Sequence, residues 1–177
     1  MIFHPFPELT TERLSLRRIN ASDADVILYL RSDETVNRFI ERPESSQTKS
    51  LDDALKFVKR IDDGLDNGSF ISWGITMTGD TAIVGTICLW NFSKDRKEAE
   101  VGYDLNPLFQ GKGIMSEALR SVLFFGFDVL NLNKVVAFTQ NNNEPSKKML
   151  ERNGLVLMAD RKDEGNSLNL IFEIEAS

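Results

Sequence analysis

The chain predicts an α/β (α+β) fold: a single domain whose mixed, mostly antiparallel sheet of six to seven strands has helices on both faces. Three observations carry this. Apolar residues alternate in some segments and recur at helical spacing in others, with no internal repeat and no linker rich in Pro, Gly or Ser. Only Glu98–Leu105 and Lys134–Thr139 are neighbouring strand patterns joined by a helix-length segment, so the sheet holds one right-handed parallel strand–helix–strand unit. The 177 residues, 41% hydrophobic and 27% charged, suit one core and exclude a disordered chain. Residues 1–177 are therefore read as one domain.

Arg13–Ile19 alternates Leu14 and Leu16 with Ser15 and Arg17 and reads as a strand. Ser22 before Asp23-Ala24-Asp25 reads as the capped start of a helix to about Arg31, with Asp33–Ile40 as a second short helical segment. A longer helix starts near Ser50, carries Leu51, Leu55, Val58, Ile61 and Leu65 on one stripe, and stops at Asn67-Gly68. Phe70–Met77 and Ala82–Trp90 flank Thr78-Gly79-Asp80-Thr81 as a hairpin. In Glu98–Leu105, Ala99, Val101, Tyr103 and Leu105 fall on one face and Glu98, Glu100, Gly102 and Asp104 on the other. Asn106-Pro107 ends that strand, and a loop with Gly111 and Gly113 feeds a helix over Ser116–Leu130. Lys134–Thr139 has the apolar run of a strand covered on both faces. Asn143 caps a short helix ending at Asn153-Gly154, and Leu155–Arg161 and Ser167–Glu175 form a final hairpin around Asp163-Glu164-Gly165-Asn166.

Composition narrows the chemistry. Twenty-one basic against 27 acidic side chains leave a net charge of −6, which argues against a nucleic-acid partner. One cysteine, Cys88, and one histidine, His4, permit no intrachain disulfide and no zinc site built from Cys and His. A triad would have to recruit His4 from the N-terminus, so no metal or His-based nucleophilic centre is expected. Met1–Leu9 lacks the basic and apolar regions of a signal peptide, and the longest apolar stretch, around Val122–Phe127, is too short to span a bilayer. A cytoplasmic protein without membrane attachment is the expectation. Trp73, Trp90, Phe124, Phe125 and Phe127 fall on interior patterns and are expected in the core, and Cys88 as a buried apolar residue.

The most informative stretch is Gln110-Gly111-Lys112-Gly113-Ile114-Met115-Ser116-Glu117, which leaves a strand and opens a helix. Two glycines there let successive N–H groups converge at the positive end of a helix dipole, a pocket for phosphate or pyrophosphate. The alternative is a tight connection whose glycines only avoid strain. Ser116 stands where a dinucleotide fingerprint needs its third glycine, and Gly113 where a P-loop needs its hydroxyl. Gln110–Ile114 instead resembles the Gln/Arg-x-x-Gly-x-Gly/Ala loop of the GNAT superfamily of N-acetyltransferases, with Met115 in place of the last small residue.

The resemblance runs nearly the full length. Leu9-Thr10-Thr11-Glu12-Arg13-Leu14-Ser15-Leu16-Arg17-Arg18 is similar to the first strand of the branch that acetylates ribosomal-protein N-termini, the RimJ/RimL type. Glu98-Ala99-Glu100-Val101-Gly102-Tyr103 resembles its central strand. Asn143-Glu144-Pro145-Ser146 through Leu150-Glu151-Arg152-Asn153-Gly154-Leu155 resembles its closing helix and turn.

That resemblance implies direct attack of an amine on the thioester of acetyl-CoA, with no metal and no covalent intermediate. It implies a splayed strand whose backbone at Tyr103, Asp104 and Leu105 holds the pantetheine arm and the oxyanion, and a pyrophosphate nest at Gln110, Gly111, Lys112, Gly113, Ile114, Met115 and Ser116. Asn143 matches the asparagine that bonds the CoA arm, and it also predicts an N-cap. Glu100 matches the acidic position of the strand and is the expected base, acting through a water, with Asp104 and Glu98 as lesser candidates. Ser146 matches a serine assigned to protonate the thiolate; Leu150 stands where other relatives carry a tyrosine, and Ser146 anchoring a water is an equal reading. The last hairpin is shorter than in the branch and lacks its additional acid, leaving Asp163 and Glu164 in the turn. The implied acceptor is a protein N-terminal α-amine of ribosomal type. A small amine (polyamine, amino acid or aminoglycoside) or a non-catalytic acyl-CoA-binding module are the alternatives, as a monomer or homodimer.

Overall fold

The computed structural model describes residues 3–176. Its strands are β1 (Leu9–Thr10), β2 (Leu14–Arg18), β3 (Ile71–Met77), β4 (Ile83–Trp90), β5 (Glu98–Leu105), β6 (Lys134–Gln140), β7 (Val156–Leu157) and β8 (Asn169–Glu175). Its α-helices are α1 (Ala24–Ser32), α2 (Leu51–Asn67), α3 (Ile114–Phe124) and α4 (Glu144–Arg152). One sheet contains all the strands in the order β1-β2-β3-β4-β5-β6-β8-β7, antiparallel except for β5 and β6. The count reaches eight because the dipeptide β1 pairs with β2. The expected strand Leu155–Arg161 contracts to β7, which lies on β8 at the sheet edge.

Local chemistry explains most boundaries and three departures. Asn20, not Ser22, caps the first helical segment: its side chain accepts from Ser22 N–H, and Asp23 reaches back to Asn20 N–H at 2.9 Å. Asp33–Ile40 is a run of turns, because the Asp33 carboxylate takes the N–H groups of Thr35 and Val36 at 2.9 and 3.0 Å. Ser50 caps α2 by accepting from Asp53 N–H, and Gly68 ends it at φ 70°. The third departure is α3, which starts at Ile114 and passes at Phe125–Val129 into a π-helical turn closed by Leu130 N–H to Phe125 carbonyl at 3.0 Å. Phe125 meets the Trp73 indole edge-on at 5.5 Å, while Phe124 faces outward, 65% exposed.

Each face of the sheet buries its own core. Trp73, Ile75, Ile87, Leu89, Val101 and Val135 pack with Ala118, Leu119 and Val122 of α3. Ile19 and Ile83 pack on the other face with Ile27 and Leu30 of α1 and Val58 and Ile61 of α2. A bulge between Ile75 and Thr76 leaves Val84 unpaired, so Ile83 joins the α1–α2 core and Val84 the α3 core. Beyond it, Thr86, Cys88 and Trp90 stand opposite Asp104, Gly102 and Glu100 on the α1–α2 face. Trp90 is therefore 45% exposed at the end of β4 instead of in the core.

The parallel pairing ends early. Glu98–Val101 lies against Lys134–Ala137, and beyond Val101 and Ala137 the strands part. The rest of β6 stays on β8, through Gln140 opposite Asn169. No helix among the described residues is long and apolar enough to cross a membrane.

Candidate active site

Where β5 and β6 diverge, the backbone of Gly102–Leu105 loses its neighbour on that side, leaving polar groups for something other than the sheet. Beyond β5, Asn106 caps a short turn over Pro107–Phe109, and the Gln110 amide donates to Leu105 carbonyl at 3.1 Å, bracing the loop against the strand end. Gly111 and Gly113 hold φ of 70° and 75°, and Gly113 is the residue from which α3 starts. A side chain at Gly111 would meet open space, and at Gly113 only the Arg13 guanidinium at 3.5 Å. Backbone conformation, not crowding, is what those glycines supply. The first turn of α3 then presents N–H groups of Ile114, Met115 and Ser116 with no partner earlier in the helix.

Side chains around this loop do structural work. Ile114 and Met115 are buried in the α3 core. The Ser116 hydroxyl accepts from Asn153 Nδ2 at 2.8 Å, so Ser116 faces α4 and only its backbone faces the loop. Glu117 accepts from Thr11 hydroxyl, Arg13 N–H and Arg13 Nε at 2.5, 3.0 and 2.7 Å, while Arg13 Nη1 donates to Lys112 carbonyl at 3.1 Å. Burial pushes that carboxyl up, but these donors together hold it below its ordinary value. Lys112 is exposed, its ammonium 5.5 Å from the Phe109 ring.

The splay opens on the α1–α2 face into a cleft of about 730 Å³. Glu100 stands in its wall, half-buried, accepting from the Asn91 amide at 2.6 Å. Burial raises its pKa, the Asn91 bond opposes that, and the charge of Asp163 adds to it. Deeper on the same face, buried Asp104 accepts from Thr86 N–H and hydroxyl at 3.1 and 2.9 Å and lies 3.9 Å from Arg42. Burial raises Asp104 too, against the Thr86 bonds and the nearby guanidiniums. Between them, the Cys88 thiol is pushed up to about 12, chiefly by burial, and stays a thiol.

At the mouth of the splay, Tyr103 hydroxyl and Ser146 hydroxyl lie 2.7 Å apart. Burial pushes the Tyr103 phenol up to about 12, opposed by its bond to Ser146. Asn143 caps α4 by accepting Ser146 N–H at 3.3 Å. Glu100, Tyr103, Asp104, Asn143 and Ser146 thus share one cleft, whereas Gln110–Ser116 lie outside its lining. Glu164 is exposed; its turn gives Gly165 and Asn166 to the cleft.

Arg31, Arg42, Phe57 and Arg60, from segments without a motif, also line the cleft and were not foreseen from sequence. The Tyr103 side chain was missed as well, since its expected role lay in the backbone. Among the described residues no group of three or more His, Cys, Asp and Glu side chains is placed to hold a metal ion.

The family described as "Acetyltransferase (GNAT) domain" matches residues 13–156, most of the chain. The chain belongs to the GNAT acetyltransferase family. It is an N-acetyltransferase by class, and its GNAT fold is the mixed sheet described above. A Bacillus licheniformis N-acetyltransferase named p20 is 32% identical over 142 residues, 80% of this chain and 78% of that one. Among solved GNAT structures, the ribosomal-protein-S5-alanine acetyltransferase of Vibrio fischeri superposes with a TM-score of 0.81 at 20% identity, covering 96% of each chain. Mycobacterium smegmatis RimJ, solved with CoA-disulfide, superposes with a TM-score of 0.78 at 19% identity, over 96% of this chain and 86% of that one. At those identities the two structures speak for the fold alone.

Proposed function

We propose that this enzyme transfers the acetyl group of acetyl-CoA to the α-amine of a protein N-terminus. The observation that carries the reading is the early end of the β5–β6 pairing, which puts free strand backbone between the glycine loop and a cleft holding Glu100. Acetyl-CoA fits that arrangement. The Gly111–Ser116 backbone takes the pyrophosphate, and the pantetheine arm completes the broken sheet along Gly102–Leu105 beside the Asn143 amide.

The chemistry follows from the groups in place. An α-ammonium, with a pKa of about 8, loses its proton through a water to Glu100. The free amine adds to the thioester carbon, and an N–H of the β5 backbone freed from β6 beyond Val101 bonds the oxyanion. Collapse breaks the C–S bond and gives the amide and the CoA thiolate. A phenol held at about 12 does not surrender its proton to a thiolate whose conjugate acid titrates near 8.5, so the Tyr103–Ser146 pair stabilises the sulfur by donating a hydrogen bond. The second proton, which the nitrogen sheds as the amide forms, balances the one the thiolate takes up, and the first passes from Glu100 to solvent.

Acetyl-CoA-dependent CoA release tests this, against peptides with free Ala, Ser or Met N-termini beside polyamines, amino acids and aminoglycosides. Turnover of peptides, abolished by blocking their N-termini, is expected. Turnover confined to small amines would overturn the acceptor, and acetyl-CoA raising the melting temperature without any turnover would favour a binding module.

A further inference from the structure

Three guanidiniums gather at the helix end of the cleft, and the acetyl-transfer chemistry uses none of them. Arg31 comes from α1, Arg42 from the segment after it and Arg60 from α2. Arg31 and Arg60 lie at 3.7 and 5.2 Å from the centroid of the Phe57 ring. Asp104 is the carboxylate beside them, 3.9 Å from Arg42, and its other oxygen is taken up by Thr86. The remaining carboxylates of the cleft are engaged elsewhere: Glu41 accepts from Gln140 and Asn166, and Glu100 from Asn91. Among the described residues neither Arg31 nor Arg60 has a carboxylate within ion-pair distance.

Arg31 is partly accounted for by the fold, since its Nε and Nη2 donate to Thr48 hydroxyl and Ser46 carbonyl at 2.8 Å each. Arg42 bonds the Asn37 side chain, and Arg60 has only the ring. At the helix end of the cleft three guanidiniums therefore face one carboxylate, Asp104, in a chain whose net charge is −6. The crowding registers on Arg31, whose guanidinium burial, Arg42 and Arg60 push down to about 10. An anion bound there would relieve the repulsion.

We infer that the acceptor is a peptide whose first few residues include an acidic side chain, received by Arg42 and Arg60. This rests on the reading that the amine is a protein N-terminus held near Glu100. Glu100 and Asp104 share one face of β5 at a separation of four residues, about 13 Å at ~3.3 Å per residue. Three rises of about 10 Å in all, with the reach of the side chain added, let an acidic residue at about the fourth position of an extended peptide cover that interval. The carboxylate of a free α-amino acid, on the same carbon as the amine, does not.

The test measures kcat/KM on three peptides alike except for residues two to four, which are Asp, Asn or Lys. The Asp peptide is expected to exceed the Asn peptide at least tenfold, the Lys peptide to fall below both, and the preference to shrink with added salt. In Arg42→Gln and Arg60→Gln the Asp-to-Asn ratio is expected to fall severalfold, with the acetyl-CoA-induced rise in melting temperature retained as evidence of folding. Equal use of the three peptides by the native enzyme would overturn the inference and leave N-terminal acetylation standing. A ratio unmoved in both variants would remove the arginines as its cause. Transfer to small amines and to no peptide would overturn both readings.

Discussion

On the side of the cleft assigned to acetyl-CoA the structure is mainly backbone: a strand parted from its neighbour after Val101, two glycines at positive φ, and the open first turn of α3. On the acceptor side it is mainly side chains, brought to one place by segments up to 138 residues apart, from Arg31 to Asn169. The first kind of site is set by backbone conformation and leaves its side chains to the core, as buried Ile114 and Met115 illustrate. The second depends on charges, and at its helix end their sign opposes that of the chain. Net charge describes the long-range field of a protein, whereas a ligand in a cleft meets the few groups around it.

The largest effect separating the two sides is expected at Glu100, which faces the acceptor but acts on the reaction. Glu100→Gln keeps the shape and the Asn91 contact and removes the proton acceptor. A fall of about 10²-fold or more in kcat/KM is expected, within the range typical of general bases. Burial raises the Glu100 pKa, so its carboxylate is lost at a higher pH than an ordinary glutamate. The native rate is therefore expected to rise through that value and again through the amine's, near 8. The variant keeps only the second rise. A pH–rate profile that merely scales down would remove Glu100 as the base, and acetyl-CoA affinity is expected to stay put.

The contrast also decides what could be read in advance. Gln110–Gly113 was legible because positive φ and a close approach of N–H groups restrict residue type at fixed spacing. The strand Glu98–Leu105, the α2 cap at Ser50 and the stop at Gly68 were legible for the same local reason. The arginines were not, because nothing adjacent to Arg31 or Arg60 distinguishes either from a solvated helix surface. Asp33–Ile40 misled because helix and turn share composition there, and the Asp33 side chain decides between them. Trp90 misled because its bulk suggested the core, whereas alternation with Ile87 and Leu89 puts it on the α1–α2 face at the open end of β4.

Gly113→Val is the matching probe of the backbone side. At φ 75° a β-branched side chain costs about 1–2 kcal/mol, and relief of that strain turns the N–H groups away from convergence. Acetyl-CoA affinity measured by calorimetry is expected to fall about tenfold, the loss equivalent to ~1.4 kcal/mol. The Asp-to-Asn peptide ratio is expected to hold, since the acceptor side is untouched. Unchanged affinity would sink the pyrophosphate assignment, and an altered peptide preference would mean that the two sides are not separate.

The smallest effect is expected at Cys88, and it tests the kind of reaction. Cys88 lies on the cleft wall between Glu100 and Asp104, close enough to the reacting groups to invite an acetyl-cysteine intermediate. Its thiol is pushed up to about 12, chiefly by burial, with the nearby carboxylates adding to the shift, so at neutral pH the thiol form dominates over the thiolate. Direct attack by the amine needs no such species. Cys88→Ala is expected to keep kcat within twofold, and initial-rate plots against both substrates are expected to intersect, as a ternary complex requires. Parallel lines in the native enzyme, with activity lost in Cys88→Ala, would replace direct transfer by a two-step route. The cleft would then owe its chemistry to a nucleophile that its own burial suppresses.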